Sequence, residues 1–264
     1  MDLELQGRLA LVTGSTAGIG LAIAAALARE GARVVVNGRT EERVRAALEE
    51  LRAVAPTAEL LGLTADLGTP EGASAALSAF PEVDILVNNL GVYDPTPFEQ
   101  LTDEDWLRII GINFFSGLRL ARHHLPRMLA RKGGRIIFIS SESALNIPTE
   151  MIHYGVTKTM QVALARGLAE LTAGTAVTVN SILAGPTRSE GVERFINELA
   201  ESGGRTSEEV ERDFFRTSRP GSLLQRFATP NEIASLVAYV ASPRSAATNG
   251  AALRAEGGLL RTPF

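Results

Sequence analysis

Short runs of apolar, mostly β-branched residues alternate along the chain with longer segments whose apolar residues recur at helical spacing. Because the short runs are apolar at successive positions, they indicate parallel strands that are covered on both faces. The predicted strands are Arg8–Thr13, Arg33–Asn37, Leu60–Ala65, Asp84–Asn88, Arg135–Ser140, Ala176–Ile182 and Ala252–Ala255. The alternation predicts an α/β fold, a single-domain doubly wound parallel sheet of about seven strands with helices on both faces.

The segments between the strands carry helix start signals. Threonines stand at N-cap positions 40, 69, 102 and 229, and Pro70 and Pro230 fall in first turns. The predicted helices are Ile19–Glu30, Glu41–Val54, Thr69–Ala79, Thr102–Ala130, Met151–Leu171 and Pro230–Ala241. Since the chain contains no repeat, low-complexity stretch or linker, residues 1–264 are expected to form one domain.

Residues 188–224 are longer than an ordinary connection between a strand and a helix. A glycine pair at 203–204 separates two amphipathic stretches, Val192–Ala200 and Ser207–Arg216. An insertion beside a ligand crevice often serves as a lid, so we expect a substrate lid here, with a plain insertion as the alternative. The side chains expected to cover an apolar substrate are Phe195, Ile196, Phe214 and Phe215.

The amino-acid composition excludes several classes of partner and of chemistry. Lys and Arg total 26 and Asp and Glu total 30, so the formal charge is −4, and there is no basic block. This balance argues against nucleic-acid or anionic-membrane partners. The absence of cysteine excludes disulfides and thiolate chemistry, and the three histidines lack metal-ligand spacing, so no metal is expected. No apolar stretch reaches the length of a membrane helix and the start does not match a secretory signal, so a cytoplasmic location is expected.

Residues 13–20 read TGSTAGIG, between the first predicted strand and the first predicted helix. Glycines at 14, 18 and 20 permit a tight turn and close approach of a ligand to the backbone. The N–H groups at the helix start then face a diphosphate. The predicted dinucleotide-binding residues in this turn are Gly14, Ser15, Thr16, Gly18, Ile19 and Gly20.

The end of the second predicted strand decides between the two nicotinamide dinucleotides. NAD-binding sheets carry an acid there, whereas this chain has Asn37-Gly38-Arg39-Thr40. The Arg39 guanidinium suits a 2′-phosphate through charge-assisted hydrogen bonds, which favours NADP over NAD. The alternative is that Arg39 is a solvated arginine at a helix start.

Tyr154 and Lys158 are four residues apart in the helix predicted after the fifth strand, so they share a face. A nearby cation favours phenolate, so we expect the pKa of Tyr154 to be lowered towards neutrality. Ser141 ends the fifth strand, at the edge where parallel sheets bind ligands, with Ser140 and Ser143 as close rivals. Taken alone, a Tyr–Lys pair at this spacing occurs at chance level, and a surface pair is the better interpretation of it.

In combination, these features resemble the classical short-chain dehydrogenase/reductase (SDR) family. The resemblance covers nearly the whole chain and includes the glycine turn, Asn88-Asn89-Leu90-Gly91, Asn113, Ser141, Tyr154, Lys158, Leu183-Ala184-Gly185-Pro186-Thr187 and Glu256-Gly257-Gly258. It implies that Tyr154 is the general acid/base, that Lys158 lowers its pKa and binds the nicotinamide ribose, and that Ser141 holds the substrate oxygen. Asn113 would anchor a water in a proton relay from Lys158.

The resemblance also implies further cofactor contacts. They are Asp66 and Leu67 at the adenine, Asn89 and Gly91 beside the adenosine ribose, and Gly185, Thr187 and Ser189 around the carboxamide.

The activity implied by the resemblance is an NAD(P)-dependent interconversion of an alcohol and a ketone or aldehyde. An NADPH-dependent carbonyl reductase, similar to a 3-oxoacyl reductase, is the favoured interpretation. Ala17 stands where NADP-preferring members often carry a second basic residue, so an NAD-dependent dehydrogenase of a sugar, polyol or hydroxy acid is the alternative. A dinucleotide-sensing regulatory protein is less favoured. A small-molecule substrate and a homo-oligomer, tetramer or dimer, are expected.

Overall fold

The computed structural model describes residues 1–263, without the side chain of Phe195. Its seven strands form one parallel sheet in the order β3-β2-β1-β4-β5-β6-β7. The strands are β1 (Leu9–Val12), β2 (Arg33–Gly38), β3 (Leu60–Thr64), β4 (Ile85–Asn88), β5 (Gly134–Ser141), β6 (Val177–Ala184) and β7 (Ala252–Ala255). The predicted fold class is confirmed, and the strand bounds differ from the predicted ones by at most two residues.

Helices cover both faces of the sheet. They are α1 (Gly18–Arg29), α2 (Glu41–Val54), α3 (Pro70–Ala79), α4 (Asp103–Ile110), α5 (Ser116–Ala130), α6 (Ile152–Glu170), α7 (Glu190–Gly203), α8 (Ser207–Thr217) and α9 (Pro230–Ala241). Helices α1, α2 and α9 pack in one apolar cluster on one face, and α3, α5 and α6 pack in a second cluster on the other. Threonines 40, 69, 102 and 229 accept backbone hydrogen bonds as N-caps, as predicted.

The order of the strands creates a crevice at the carboxyl edge of the sheet. The chain runs outward from β1 through β2 to β3 and then returns to pair β4 with the other side of β1. Connections therefore leave β1 and β4 in opposite directions, which is where open parallel sheets bind ligands. The glycine turn follows β1 and Asn89 follows β4, so both lie at this switch point.

The prediction of one continuous helix over residues 102–130 is wrong, because the segment contains two helices. A wide π turn (Gly111–Phe115) separates α4 from α5. The spacing of apolar residues does not show that one turn of a helix contains an extra residue. The π turn is stabilised instead by hydrogen bonds to residues outside the helix. Asn113 lies in the π turn and bonds to Val92, on the loop after β4, and to Thr157 and Gln161 on α6.

Residues 188–224 contain two helices, α7 and α8, which span the two amphipathic stretches of the sequence. Gly204 has a φ of 59° and ends α7, and α8 folds back against α7. Ile196 and Phe215 are buried in a cluster with Phe227, and the Phe214 ring stacks on Phe227 with centroids 5.0 Å apart. The expectation that Ile196 and Phe215 cover a substrate is therefore wrong, because they form the internal core of this hairpin, whereas Phe214 is only partly buried and its role stays a prediction. The same expectation for Phe195 falls on a side chain outside the described residues.

Candidate active site

The turn after β1 has the backbone that its glycines permit. Gly14 and Gly18 have φ values of 59° and 56°, in the left-handed region that favours glycine. A Cβ at Gly20 would lie 2.4 Å from the Gly14 carbonyl oxygen and 2.5 Å from Asn89 Nδ2. Helix α1 can therefore approach the turn closely only with glycine at this position.

Two asparagines hold this turn from behind. Asn37 Oδ1 accepts from the Gly14 N–H at 3.0 Å, and Asn89 Nδ2 donates to the carbonyl oxygens of Thr13 and Gly14 at 2.9 and 3.0 Å. The Ser15 hydroxyl points inward, donating to the Val12 carbonyl at 2.7 Å and accepting from the Asn37 N–H. Ser15 and Asn89 thus shape the turn with their side chains, which leaves backbone groups to face a ligand.

The start of α1 fits a diphosphate. Its N-cap is Ala17, whose methyl group cannot accept a hydrogen bond, so no side chain of Ala17 competes for the first N–H groups of the helix. Thr16, Gly18 and Ile19 are all half-buried around this start. A Cβ at Gly18 would lie 3.3 Å from Ser189 Cβ, so the loop after β6 borders the same space.

The predicted adenosine contacts lie at the ends of β2 and β3. Arg39 is exposed immediately after β2, where its guanidinium is accessible from solvent. Asp66 is exposed and its Oδ1 accepts from the Gly68 N–H at 3.0 Å, as in an Asx turn. Leu67 is 1% exposed and packs in the core, so its side chain is not accessible to a ligand. The geometry of Asp66 and Leu67 is typical of an ordinary turn and is also compatible with a contact to the adenine.

The Ser141 hydroxyl lies beside the Tyr154 phenol at the carboxyl end of β5. The Ser141 hydroxyl accepts from the Ser143 N–H at 3.1 Å and donates to Glu142 Oε2, and its interaction with the Tyr154 phenol lowers the pKa of that phenol. Ser140 instead donates to the Lys158 carbonyl oxygen at 2.9 Å, and Ser143 donates to Glu142. Ser141 is the serine of the three that contacts the phenol.

The pKa of Tyr154 is raised in this structure, so the expectation of a lowered value is wrong for the protein alone. Burial is the largest cause, and the negative charge of Glu142 raises the pKa further. The interaction with the Ser141 hydroxyl and the positive charge of Arg219 lower the pKa of Tyr154. Lys158 Nζ lies over the ring, 5.5 Å from its centroid, rather than at the hydroxyl.

Lys158 is buried and held by two acceptors. Its Nζ donates to the Ile139 carbonyl oxygen at 2.9 Å and to Gln161 Oε1 at 3.3 Å. Burial lowers the pKa of Lys158 to about 8, while the Glu142 charge raises it. A Cβ at Gly91 would lie 3.3 Å from Nζ and 3.6 Å from Asn113 Oδ1, so the loop after β4 closes over this pair.

Asn113 uses its side chain to fix its neighbours. Oδ1 accepts from the Val92 N–H at 2.8 Å, and Nδ2 donates to the Val92 carbonyl at 2.9 Å and to Thr157 Oγ1 at 3.0 Å. Its backbone carbonyl accepts from Gln161 Nε2 at 2.6 Å. The structure thus brings the four predicted catalytic residues, Asn113, Ser141, Tyr154 and Lys158, to one edge of the sheet.

The sequence analysis missed Glu142 and Arg219. Glu142 is 4% exposed, and its Oε1 lies 3.6 Å from Nε of Arg219, which follows α8. Arg219 Nη1 also lies 3.1 Å from Glu150 Oε1. Burial raises the pKa of Glu142, whereas its bonds to Ser141 and the charge of Arg219 lower it. The one available signal was the position of Glu142 next to Ser141.

The loop after β6 is built around a close backbone approach. A Cβ at Gly185 would lie 2.6 Å from the Glu256 Cα, and the Thr187 hydroxyl donates to the Gly185 carbonyl at 2.8 Å. Ser189 caps α7, accepting from the Val192 N–H at 3.4 Å. Glu256 accepts from the Leu260 N–H at 3.2 Å and pairs with Arg254, so its role is to hold the chain that follows β7.

Residues 1–263 contain no cluster of three or more His, Asp or Glu side chains that could hold a metal ion. In the same part of the chain, no helix combines the length and apolarity needed to cross a membrane.

Comparisons with known proteins agree with this geometry. A family model described as short chain dehydrogenase matches residues 8–199. The uncharacterized oxidoreductase YvaG of Bacillus subtilis (strain 168) is 50% identical over 264 residues and covers 100% of both chains. D-beta-hydroxybutyrate dehydrogenase of Rhizobium meliloti (strain 1021) is 33% identical, over 95% of this chain and 98% of its own.

Among solved structures, L-sorbose reductase from Gluconobacter frateurii, complexed with NADPH and L-sorbose, is similar to this chain with a TM-score of 0.93. Its sequence is 31% identical, and the match covers 99% of this chain and 100% of that one. The chain therefore belongs to the short-chain dehydrogenase/reductase family, as its sequence motifs predicted, and it is an oxidoreductase of that family.

Proposed function

We propose that this protein is an NADP(H)-dependent oxidoreductase that interconverts a secondary alcohol and a ketone, with Tyr154 as the general acid/base. The observation that carries the proposal is the position of the buried Tyr154 phenol, which interacts with Ser141 and lies beneath the Lys158 ammonium, 5.5 Å from the ring centroid, at the same sheet edge as the glycine turn. A sensor that only binds a dinucleotide needs no buried cation beside a tyrosine. An enzyme that moves a proton does.

During reduction, Tyr154 would donate its phenolic proton to the carbonyl oxygen of the substrate. Lys158 would stabilise the phenolate that remains, because a buried ammonium favours the charged form of a neighbouring phenol. The Ser141 hydroxyl hydrogen would turn from Glu142 to the same substrate oxygen and bind the negative charge that develops there. Asn113 would anchor the relay that returns a proton to Lys158.

A bound nicotinamide dinucleotide would supply the hydride. Gly14, Gly18 and the uncapped start of α1 would bind its diphosphate. Gly185, Thr187 and Ser189 would face its carboxamide. Arg39 would bind a 2′-phosphate, since it is exposed after β2 and this strand ends without an acidic residue. The NADPH of L-sorbose reductase supports the same cofactor here.

The charged residues behind Ser141 favour a polar substrate. Glu142 and Arg219 form a nearly buried ion pair next to Ser141, so charged groups lie directly behind this serine. A keto sugar, or a hydroxy acid and its ketone, could use these groups as hydrogen-bond partners. The similarity to L-sorbose reductase and to D-beta-hydroxybutyrate dehydrogenase supports this substrate class.

A second candidate is a 3-oxoacyl thioester, and it is favoured by the apolar rim of the site. Leu145 and Ile147 are 55% and 42% exposed, and Ile147 packs against Gly155 beside Tyr154. Exposed aliphatic side chains at a site entrance suit an acyl chain or a pantetheine arm.

A substrate panel separates the candidates. Ketoses, 2- and 3-hydroxy acids with their ketones, and 3-oxoacyl thioesters are each assayed at the nicotinamide absorbance with NADPH or NADH. We expect the highest kcat/KM for a polar ketone with NADPH. A Leu145→Ser variant is the discriminating control, because it should raise KM for a thioester and leave KM for a short polar ketone unchanged. Absence of turnover with every class and either cofactor would contradict the proposed function.

A further inference from the structure

Gln161 lies in the centre of the candidate active site without a role in the chemistry described above. It follows Lys158 by three residues on α6, so the two side chains share a helix face. Gln161 is 1% exposed. A buried amide without partners is costly, so its contacts indicate why it is there.

Both ends of the Gln161 amide are bonded to groups of the site. Nε2 donates to the Asn113 backbone carbonyl at 2.6 Å, and Oε1 accepts from Lys158 Nζ at 3.3 Å. The orientation of the amide is fixed by its partners, because a carbonyl can only accept and an ammonium can only donate. A side chain that both donates and accepts is therefore required here, and neither an aliphatic nor a carboxylate side chain meets this requirement.

We propose that Gln161 is a positioning residue, whose side-chain amide holds the Lys158 ammonium in place and ties it to the Asn113 carbonyl on the π turn. This proposal rests on the proposed function in one respect, the assignment of Lys158 to the proton-transfer machinery. It gives the π turn a purpose, since the wide turn places the Asn113 carbonyl within reach of α6.

The surroundings of Lys158 make this acceptor important. Desolvation in the interior disfavours the ammonium form, and each hydrogen bond that the ammonium donates restores part of its stability. Two neighbours are titratable, Glu142 on the segment after β5 and Tyr154 one turn earlier on α6. Strand β5 and the π turn contribute uncharged groups, the Ile139 carbonyl and the Asn113 amide and carbonyl. Gln161 Oε1 is thus one of two uncharged acceptors that keep Lys158 protonated.

The composition of the chain allows a direct test, because it contains two lysines, Lys132 and Lys158. Protein labelled with 13C at lysine Cε gives one signal from each, and a Lys132→Arg variant assigns them. Titration of the Lys158 signal yields its pKa in the intact protein without substrate or turnover. The wild-type pKa of Lys158 is expected near 8.

Gln161→Met removes both hydrogen bonds at similar volume, and we expect it to lower the pKa of Lys158 by about one pH unit. Gln161→Glu places a carboxylate beside the ammonium and should raise the pKa. Asn180→Leu is the matched control, because Asn180 is also a buried amide with two partners, the Thr248 carbonyl at 2.8 Å and the Ala251 N–H at 3.0 Å. This control should leave Lys158 unchanged.

An unchanged pKa of Lys158 in Gln161→Met, or the same decrease in Asn180→Leu, would overturn the proposal. If Gln161→Met does not fold, Gln161→Glu decides, and a pKa that does not rise overturns the proposal. Failure of the proposed function is detected separately, as full turnover of a Tyr154→Phe variant. Once a substrate is known, Gln161→Met should also move the alkaline rise of alcohol oxidation to higher pH, since a less charged Lys158 raises the pKa of Tyr154.

Discussion

The buried His124 on α5 makes the stability of the protein fall as the pH is lowered. The His124 side chain is 1% exposed, and within residues 1–263 neither ring nitrogen has a hydrogen-bond partner. Burial lowers the pKa of His124 from 6.5 to about 4, and the positive charges of His123, Arg127 and Arg131 add to the effect. The folded protein therefore binds this proton less readily than the unfolded chain.

The size of the effect follows from the two pKa values. Stability from the neutral ring is fully present above the unfolded pKa of 6.5 and is lost as the pH falls towards 4. A complete separation of about 2.5 pH units corresponds to roughly 3.4 kcal/mol, and the part lost between pH 7.5 and pH 5 is about 2 kcal/mol. This loss is a large fraction of the free energy of unfolding of an ordinary domain.

Urea unfolding of wild type and of His124→Leu at pH 7.5 and pH 5 measures this loss. The wild type should lose about 2 kcal/mol more than the variant, because leucine has no proton to bind. His123→Leu is the matched control, since the neighbouring ring is partly exposed and contacts the Pro81 carbonyl at 3.0 Å, and this variant should keep most of the wild-type loss. Equal losses in wild type and His124→Leu would refute the reasoning.

Two further predictions concern the cofactor and the segment 188–224. Arg39→Ala should weaken NADPH binding roughly tenfold to a hundredfold, the equivalent of about 1.5–3 kcal/mol for a charge-assisted bond, and leave NADH nearly unchanged. Equal losses for both cofactors in a binding titration would contradict the role of Arg39. We also propose that residues 188–224 form a lid that Arg219 fastens to Glu142 and Glu150, so trypsin cleavage at Arg205 should be slowed by saturating NADPH and accelerated in Arg219→Gln. If neither NADPH nor the substitution of Arg219 changes the cleavage rate, the segment is a plain insertion and not a lid.

The sequence was sufficient for the sheet and for the position of the site. Strands that are apolar on both faces identify a parallel sheet, and the glycine turn identifies the edge at which ligands bind. Gly14 and Gly18 adopt the conformations that their spacing suggested, because a backbone requirement of glycine is local in the chain. Ser141, Tyr154 and Lys158 were singled out by the resemblance to the SDR family, and the spacing of four residues places the last two on one helix face.

The π turn and the buried polar partners could not be predicted in this way. Asn113 is 44 residues from Thr157 and 48 from Gln161, and these long-range bonds accompany the wide turn. The pKa of Tyr154 was expected to fall because only Lys158 was considered, whereas burial of the phenol, the largest cause, and the charge of Glu142 raise it. The buried Glu142 pairs with Arg219, which follows α8 and has no local pattern that points to β5. The effect of these two charges on Tyr154 can be recognised only from the folded structure.

Replacement of Tyr154 by phenylalanine tests the central claim most directly. Tyr154→Phe removes the hydroxyl that would transfer the proton and keeps the ring that packs against Tyr93, whose centroid lies 6.3 Å away. We predict that kcat for the best ketone falls by about 10²–10⁴-fold while the Kd for NADPH stays within twofold, roughly, of wild type. Tyr239→Phe on α9, where the side chain is 38% exposed, should keep full turnover. Undiminished kcat in a folded Tyr154→Phe protein would contradict the proposed mechanism.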